Sequence, residues 1–282
     1  MMNLFRTFRV GISGPPGVGK STFIEALGTF LCQKDFRVAV LAVDPSSART
    51  GGSILGDVTR MDELTKHKNA FVRGSPSRGT LGGVTRSTTD AIALCETFGY
   101  NVILVETVGV GQSETMVEGM TDVFLLLSPP AGGDELQGIK KGIMELVDII
   151  VVNKADGELL PIAKRAAADY KAALHFGTPK NPLWVPQVRI CSARTKDNVA
   201  EVWKTMNQYW EQMEKEGVME SKRKSQRKAW MWRMVQEELV KRFERNPRVQ
   251  STLIEVQREV EEGRLTAGLA ADLLMDSFGA SQ

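Results

Sequence analysis

The stretch GPPGVGKS, from Gly14 to Ser21, matches the pattern G-x-x-x-x-G-K-[ST]. Glycines at these places let backbone N–H groups wrap phosphate oxygens without Cβ clashes. A helix opening at the end of the loop adds its partial positive charge. Gly14, Pro15, Pro16, Gly17, Val18, Gly19, Lys20, Ser21 and Thr22 are therefore candidate nucleotide-binding residues. Lys20 is expected to reach the β- and γ-phosphates, and Ser21 to ligate Mg²⁺. The bland alternative is a Gly/Pro-rich turn. Against it, a strand-like run precedes the stretch and a helical pattern follows, which is the context this motif requires.

A second acidic group should meet such a metal from the end of a neighbouring strand. ILVETVG supplies Glu106 there, followed by Gly109, in the shape D-x-x-G with Glu in place of Asp. Gly109 is expected to donate its N–H to the γ-phosphate. Read blandly, Glu106 simply ends a strand. Asp44, in LAVDPSS, also ends a strand-like run, where carboxylates face the ligand crevice of α/β sheets. It could hold Mg²⁺ through water or orient the attacking water. Asp57, in GGSILGDVTRM, lies in a Gly-rich loop and is either a mobile metal ligand or a turn former. Val110 stands where Ras-type GTPases place a water-orienting Gln, and Gln112 comes two residues later. Slow intrinsic hydrolysis that a partner accelerates is the physical expectation.

The stretch NKADGELL begins at Asn153, at the end of another apolar run. Asn and Asp favour turns and helix caps, so the residues alone leave a simple turn open. Placed beyond a phosphate loop, the Asp156 carboxylate can accept the N1–H and 2-amino donors of guanine. Adenine lacks that pair. Asn153 is expected to buttress the loop and contact the base. Lys154 would lie along the base or the phosphate loop. SAR, at Ser192, Ala193 and Arg194, supplies backbone near the base's O6.

These residues need strands that end together. FRVGIS, FRVAVLAV, NVILVE, DVFLLL, DIIVV and QVRICS are nearly continuous β-branched runs. Strands buried on both faces of a parallel sheet read this way. Helical patterns lie between most of them, over 21–33, 85–98, 138–146 and 158–175. The fold class expected is α/β: a P-loop NTPase with a doubly wound, mainly parallel sheet, plus an α-helical C-terminal extension.

The division expected is a P-loop domain over residues 1–197 and a helical C-terminal region over 198–282. In the latter, Trp203, Met206, Trp210 and Met213 form one apolar stripe, and Trp232, Val235, Leu239 and Phe243 a second. Such stripes are core packing or a self-association surface. NPRV at Asn246 breaks the chain before two shorter helices. The basic run SKRKSQRK from Ser221 is expected to be a solvated helix face, with docking of an acidic partner the alternative.

Composition excludes several functions. A net charge of +2, with 42% hydrophobic and 25% charged residues, gives no global pull toward nucleic acid or membrane. Cys32, Cys95 and Cys191 are scattered, and only His67 and His175 are present. That argues against a disulfide framework and against a thiolate or histidine metal site. No apolar run approaches the ~20 residues that span a bilayer. The basic start MMNLFRTFRV is too short for a convincing transit peptide.

Taken together, LAVDPSS, GGSILGD, RGTLGGVTR, ETVGVGQSE, GGDELQGIKKGI, NKAD and WMW resemble the G-protein chaperones of methylmalonyl-CoA mutase. The methylmalonic aciduria type A proteins of animals and the bacterial MeaB proteins make up that family. The similarity runs from Phe8 to about Phe278. It implies a homodimeric GTPase of the signal-recognition-particle-like class, using GTP/GDP and Mg²⁺, with the helical region over 198–282 as its dimerisation region. Such proteins bind the mutase, gate adenosylcobalamin loading and support release of inactivated cofactor. By the same resemblance, Lys20, Ser21, Asp44, Asp57 and Glu106 fall on magnesium and catalytic positions. GGDELQGIKK falls on a third switch, with Gln137 and Lys140 coupling nucleotide to mutase. The implied location is the mitochondrial matrix for a eukaryotic source and the cytoplasm for a bacterial one. Family members carry a helical arm before the first strand, which the roughly eight residues here do not match. The alternatives are a metal-insertion GTPase, which would want a His/Cys cluster, and a P-loop small-molecule kinase, which has no need of NKAD.

Overall fold

Strand β1 (Phe8–Ser13) lies at the centre of a seven-stranded sheet in the computed structural model of the chain. The structure describes residues 7–43, 61–74, 81–107, 113–130, 141–175 and 180–279. The candidates Asp44, Asp57, Gly109, Gln137 and Lys140 lie outside these residues, as do Val110 and Gln112. The other strands are β2 (Val38–Val43), β3 (Ala70–Arg73), β4 (Val102–Thr107), β5 (Val123–Ser128), β6 (Ile149–Val152) and β7 (Gln187–Ile190). Their order is β3-β2-β4-β1-β5-β6-β7, and every pairing is parallel.

All residues of β1, β2, β4, β5 and β6 are buried. That burial is why their sequences read as continuous apolar runs rather than alternating ones. The runs predict six strands; β3 is the seventh. It is short, sits at the sheet edge and alternates between half-buried and exposed residues, so it lacks a continuous apolar signature.

The parallel strands are joined by helices α1 (Lys20–Cys32), α2 (Asp62–Thr65), α3 (Leu81–Thr97), α4 (Ser113–Glu118), α5 (Lys141–Met144) and α6 (Leu160–His175). A single 3-10 turn, Gly157–Leu159, precedes α6. Helix α7 (Val199–Lys215) follows β7 and packs on the sheet. Its stripe of Trp203, Met206, Trp210 and Met213 is buried in the main core. The Phe8 ring meets Trp210 edge-on at 4.7 Å between centroids. The stripe is therefore core packing. Contacts group the chain into two compact units, Met1–Gln226 and Arg227–Gln282.

The basic run also departs from expectation. Arg223, near the start of α8 (Val218–Arg245), is buried rather than solvated. Its guanidinium donates to both oxygens of the fully buried Asp122, at 2.8 and 2.6 Å, and to the Thr7 carbonyl at 2.6 Å. Lys222 Nζ donates to the Asp122 carbonyl at 2.9 Å and lies 3.3 Å from Glu118. Gln226 Nε2 donates to the Thr121 carbonyl at 2.8 Å. These residues recur at helical spacing, so one face of the run is an anchor at the entry to β5. The other face, with Lys224 and Lys228, is exposed.

In the second unit, α9 (Pro247–Glu261) and α10 (Ala267–Gly279) pack together. Asn246 caps α9, its Oδ1 accepting from Arg248 N at 2.9 Å, with Pro247 at the first helical position. This is the physical basis of the chain break at NPRV. Phe243 meets Phe278 at 5.5 Å. The rest of the second stripe, Trp232, Val235 and Leu239, is 55%, 40% and 53% exposed.

Candidate nucleotide site

The phosphate-loop residues leave the C-terminal end of β1 and open α1. Gly14 must be glycine because a Cβ there would lie 2.5 Å from the Leu127 carbonyl oxygen on β5. Gly19 has φ +95°, and a Cβ would come within 2.8 Å of Asn153 Nδ2. Helix α1 begins without a side-chain cap and with no acid in its first turn. Its amide end thus carries partial positive charge that no carboxylate of its own turn offsets. Lys20 Nζ donates to the Gly14 carbonyl at 2.8 Å and the Pro15 carbonyl at 3.3 Å, folding its ammonium over the loop.

On the neighbouring strand β4, Glu106 pairs in register with Ile12 and is only 4% exposed. Thr107 follows it, and its hydroxyl donates to Ser13 Oγ at 2.9 Å, joining the two strand ends. The donors described on these two elements, the Ser21 hydroxyl and the Glu106 carboxyl, are both oxygens. That chemistry fits a hard divalent cation such as Mg²⁺. Among the described residues no group of three or more His, Cys, Asp and Glu side chains could hold a metal ion.

The base loop leaves the C-terminal end of β6. Asn153 is 1% exposed and uses both the nitrogen and the oxygen of its amide. Its Nδ2 donates to the Val18 carbonyl at 3.0 Å, and its Oδ1 accepts from Ala193 N at 3.0 Å. Lys154 adopts φ +61°, a left-handed conformation uncommon outside glycine, and its Nζ donates to the Gly17 carbonyl at 2.7 Å. Ala155 N donates to the Cys191 carbonyl at 3.0 Å, lacing the loop to the end of β7. Burial pushes the Cys191 thiol up to about 12, so it sits beneath the loop as an inert thiol.

Asp156 is held from two sides. The fully buried Ser192 donates its hydroxyl to Oδ2, and Arg194 Nη2 donates to Oδ1 at 2.8 Å. The sequence suggests that SAR offers backbone to the base. In the structure the Ala193 amide is engaged by Asn153, and the Ser192 side chain does work that spacing does not reveal. A cavity of about 510 Å³ lies among these groups, lined by residues that include Gly19, Thr22, Lys154, Asp156, Leu159 and Arg194. Leu159 is absent from the sequence-derived candidates. It is an apolar wall contributed by the 3-10 turn, and nothing in its local pattern marks it.

A phosphate loop and an Asn-Lys-x-Asp loop, side by side at the carboxyl ends of a parallel sheet, define a P-loop GTPase. The sequence model described as "Methylmalonyl Co-A mutase-associated GTPase MeaB" matches residues 1–248. The chain belongs to this MeaB family. It is 51% identical over 272 residues to "Methylmalonic aciduria type A homolog, mitochondrial" of Mus musculus, a match covering 96% of this chain and 66% of the mouse protein. It is 49% identical over 274 residues to a "Putative GTPase" of Caulobacter vibrioides, covering 97% of this chain and 84% of that protein. A crystal structure of "LAO/AO transport system kinase" superposes with a TM-score of 0.74 at 34% identity, covering 97% of this chain and 82% of that one.

Proposed function

We propose that this chain is a GTP-driven chaperone of methylmalonyl-CoA mutase that gates adenosylcobalamin loading, protects the loaded enzyme and supports its reactivation. The observation that carries the nucleotide part is the Asn153 side chain, hydrogen-bonded to both the phosphate loop and the SAR loop. It makes one receptor of two distant motifs. The partner rests on family membership.

In this reading Asp156 receives the guanine edge, and Gly14 to Thr22 cradle the phosphates. Lys20 releases the Gly14 and Pro15 carbonyls to reach the β- and γ-phosphates. Ser21 and Glu106, with Asp44 and Asp57, would hold Mg²⁺. When bound, that ion supplies neutralisation of charge on the phosphate oxygens. The reaction is GTP + H₂O to GDP + phosphate, slow alone and faster with the mutase. Gly109 contacts the γ-phosphate, and Gln137 and Lys140 report it to the partner. Neither nucleic acid nor a membrane is a partner. No helix among the described residues is long and apolar enough to cross a membrane. The location follows the source, mitochondrial matrix or bacterial cytoplasm.

The chain acts as a homodimer through its second unit. An apolar groove of about 590 Å³ runs along α8, lined by residues that include Trp230, Met231, Met234, Val235 and Leu239. Leu239→Glu should convert a dimer to a monomer in light scattering. For the main claim, GTP hydrolysis is measured with and without the mutase while cofactor transfer is followed in parallel. Acceleration and nucleotide-dependent transfer support it. Absence of both binding and rate change overturns it.

A further inference from the structure

The two groups that hold Asp156 differ in kind. The Ser192 hydroxyl is buried, and its oxygen also accepts Thr195 N–H at 3.2 Å, so it belongs to the turn itself. The Arg194 side chain is 81% exposed, against 16% for Asp156. Among the described residues, its only hydrogen bond is the one to Asp156 Oδ1. Both members of this pair line the 510 Å³ cavity.

Guanine's N1–H and 2-amino group are two N–H donors on one N–C–N fragment, which is a guanidine. The arginine head is the same fragment carrying a charge, a planar fork that matches carboxylates. Arg194 thus presents to Asp156 the same donor chemistry that the base must present. Ser192 can keep its hold on Oδ2 while a base docks. Arg194 shares Oδ1 with the incoming edge.

We propose that Arg194 competes with the guanine edge for Asp156 and thereby limits how fast guanine nucleotide enters. This rests on the base-site reading above. Nucleotide entry then exchanges one guanidine fragment for another at a single carboxylate. The brake is light, because an exposed ion pair contributes little. It weakens further as salt screens the pair.

The test is stopped-flow association of fluorescent GDP with the full chain, its Arg194→Ala variant and its Arg194→Lys variant. The same measurements with xanthosine diphosphate are made in the Asp156→Asn background. Arg194→Ala should associate about threefold faster where Asp156 is present, the scale of an exposed pair, with dissociation little changed. Arg194→Lys, which keeps the charge but loses the fork, should fall between. In the Asp156→Asn background the acceleration should vanish. Slower or unchanged association with Asp156 present, or the same change in both backgrounds, overturns the competition. If Asp156→Asn does not move preference from guanine to xanthine, the base-site reading fails and this inference falls with it.

Discussion

Asn153 Nδ2 donates to the Val18 carbonyl across 135 residues of chain, at 3.0 Å, in a position only 1% exposed. The same amide accepts from Ala193 at 3.0 Å, so one side chain sets the spacing of three loops. Asn153→Ala leaves a buried carbonyl and a buried amide without this partner. Each such loss costs about 1–3 kcal/mol. The variant should melt lower and bind GDP and GTP more weakly together, because both ends of the site lose their common tie. Calorimetric melting and nucleotide titration check this. A loss of stability with unchanged affinity for both nucleotides would contradict the spacing role.

Lys20 Nζ donates to two carbonyls of its own loop, Gly14 and Pro15. Lys20→Ala removes the ammonium proposed to reach the triphosphate and frees two carbonyls of a partly exposed loop. GTP affinity should fall at least about tenfold while the melting temperature shifts little, since partly exposed interactions contribute about 0–1 kcal/mol. Isothermal titration alongside thermal unfolding separates the two effects.

Asp156→Asn exchanges one carboxylate oxygen for a donor. Xanthine offers an oxygen at the 2-position where guanine has its amine. The variant should lose GTP affinity and gain affinity for xanthosine triphosphate, because an unmatched buried polar pair costs about 1–3 kcal/mol. Competition binding with the two nucleotides reads the switch directly. An unchanged ranking would refute the assignment of Asp156 to the base.

How much of this was legible depends on how local each signal is. GPPGVGKS specifies its loop within eight residues, Gly14 to Ser21, and the strand and helix around it are apolar enough to read. The strands buried on both faces announce themselves; β3, half-exposed at the edge, does not. Arg223 read as one of many surface cations because its partner Asp122 lies 101 residues earlier in the chain. Motif spacing gathers Asn153, Asp156 and Ser192 at one sheet edge. It does not say that Asn153 reaches Val18, or that the Ser192 hydroxyl and Arg194 share Asp156. Those are pairings between side chains on different elements, fixed by packing. Leu159 was invisible for a related reason, since a single apolar residue in a turn has no periodicity to betray it.

The anchor under α8 gives stability an acid dependence whose sign can be worked out. Burial opposes ionisation of Glu118, but the Lys222 and Lys180 ammoniums outweigh it and hold the carboxyl below its ordinary value of 4.5. A depressed carboxyl contributes stability that is complete above the unfolded value and lost as pH falls through the folded one. Asp148 runs the other way. Burial raises it, and Lys222, Lys180 and the Phe124 amide only partly counter that, so its charge is a burden at neutral pH that acid relieves. Lys222 acts on both carboxylates in the same favourable direction. Lys222→Met should therefore lower the melting temperature most near pH 7. The gap to the parent should narrow as pH falls, first as Asp148 takes up its proton above its ordinary value and then as Glu118 does so below 4.5. It should not close, because Lys222 Nζ also bonds the Asp122 carbonyl, which does not titrate. Melting curves at pH 7, 5 and 4 test the point; a gap that stays constant across them would show that Lys222 acts there through packing and not through charge.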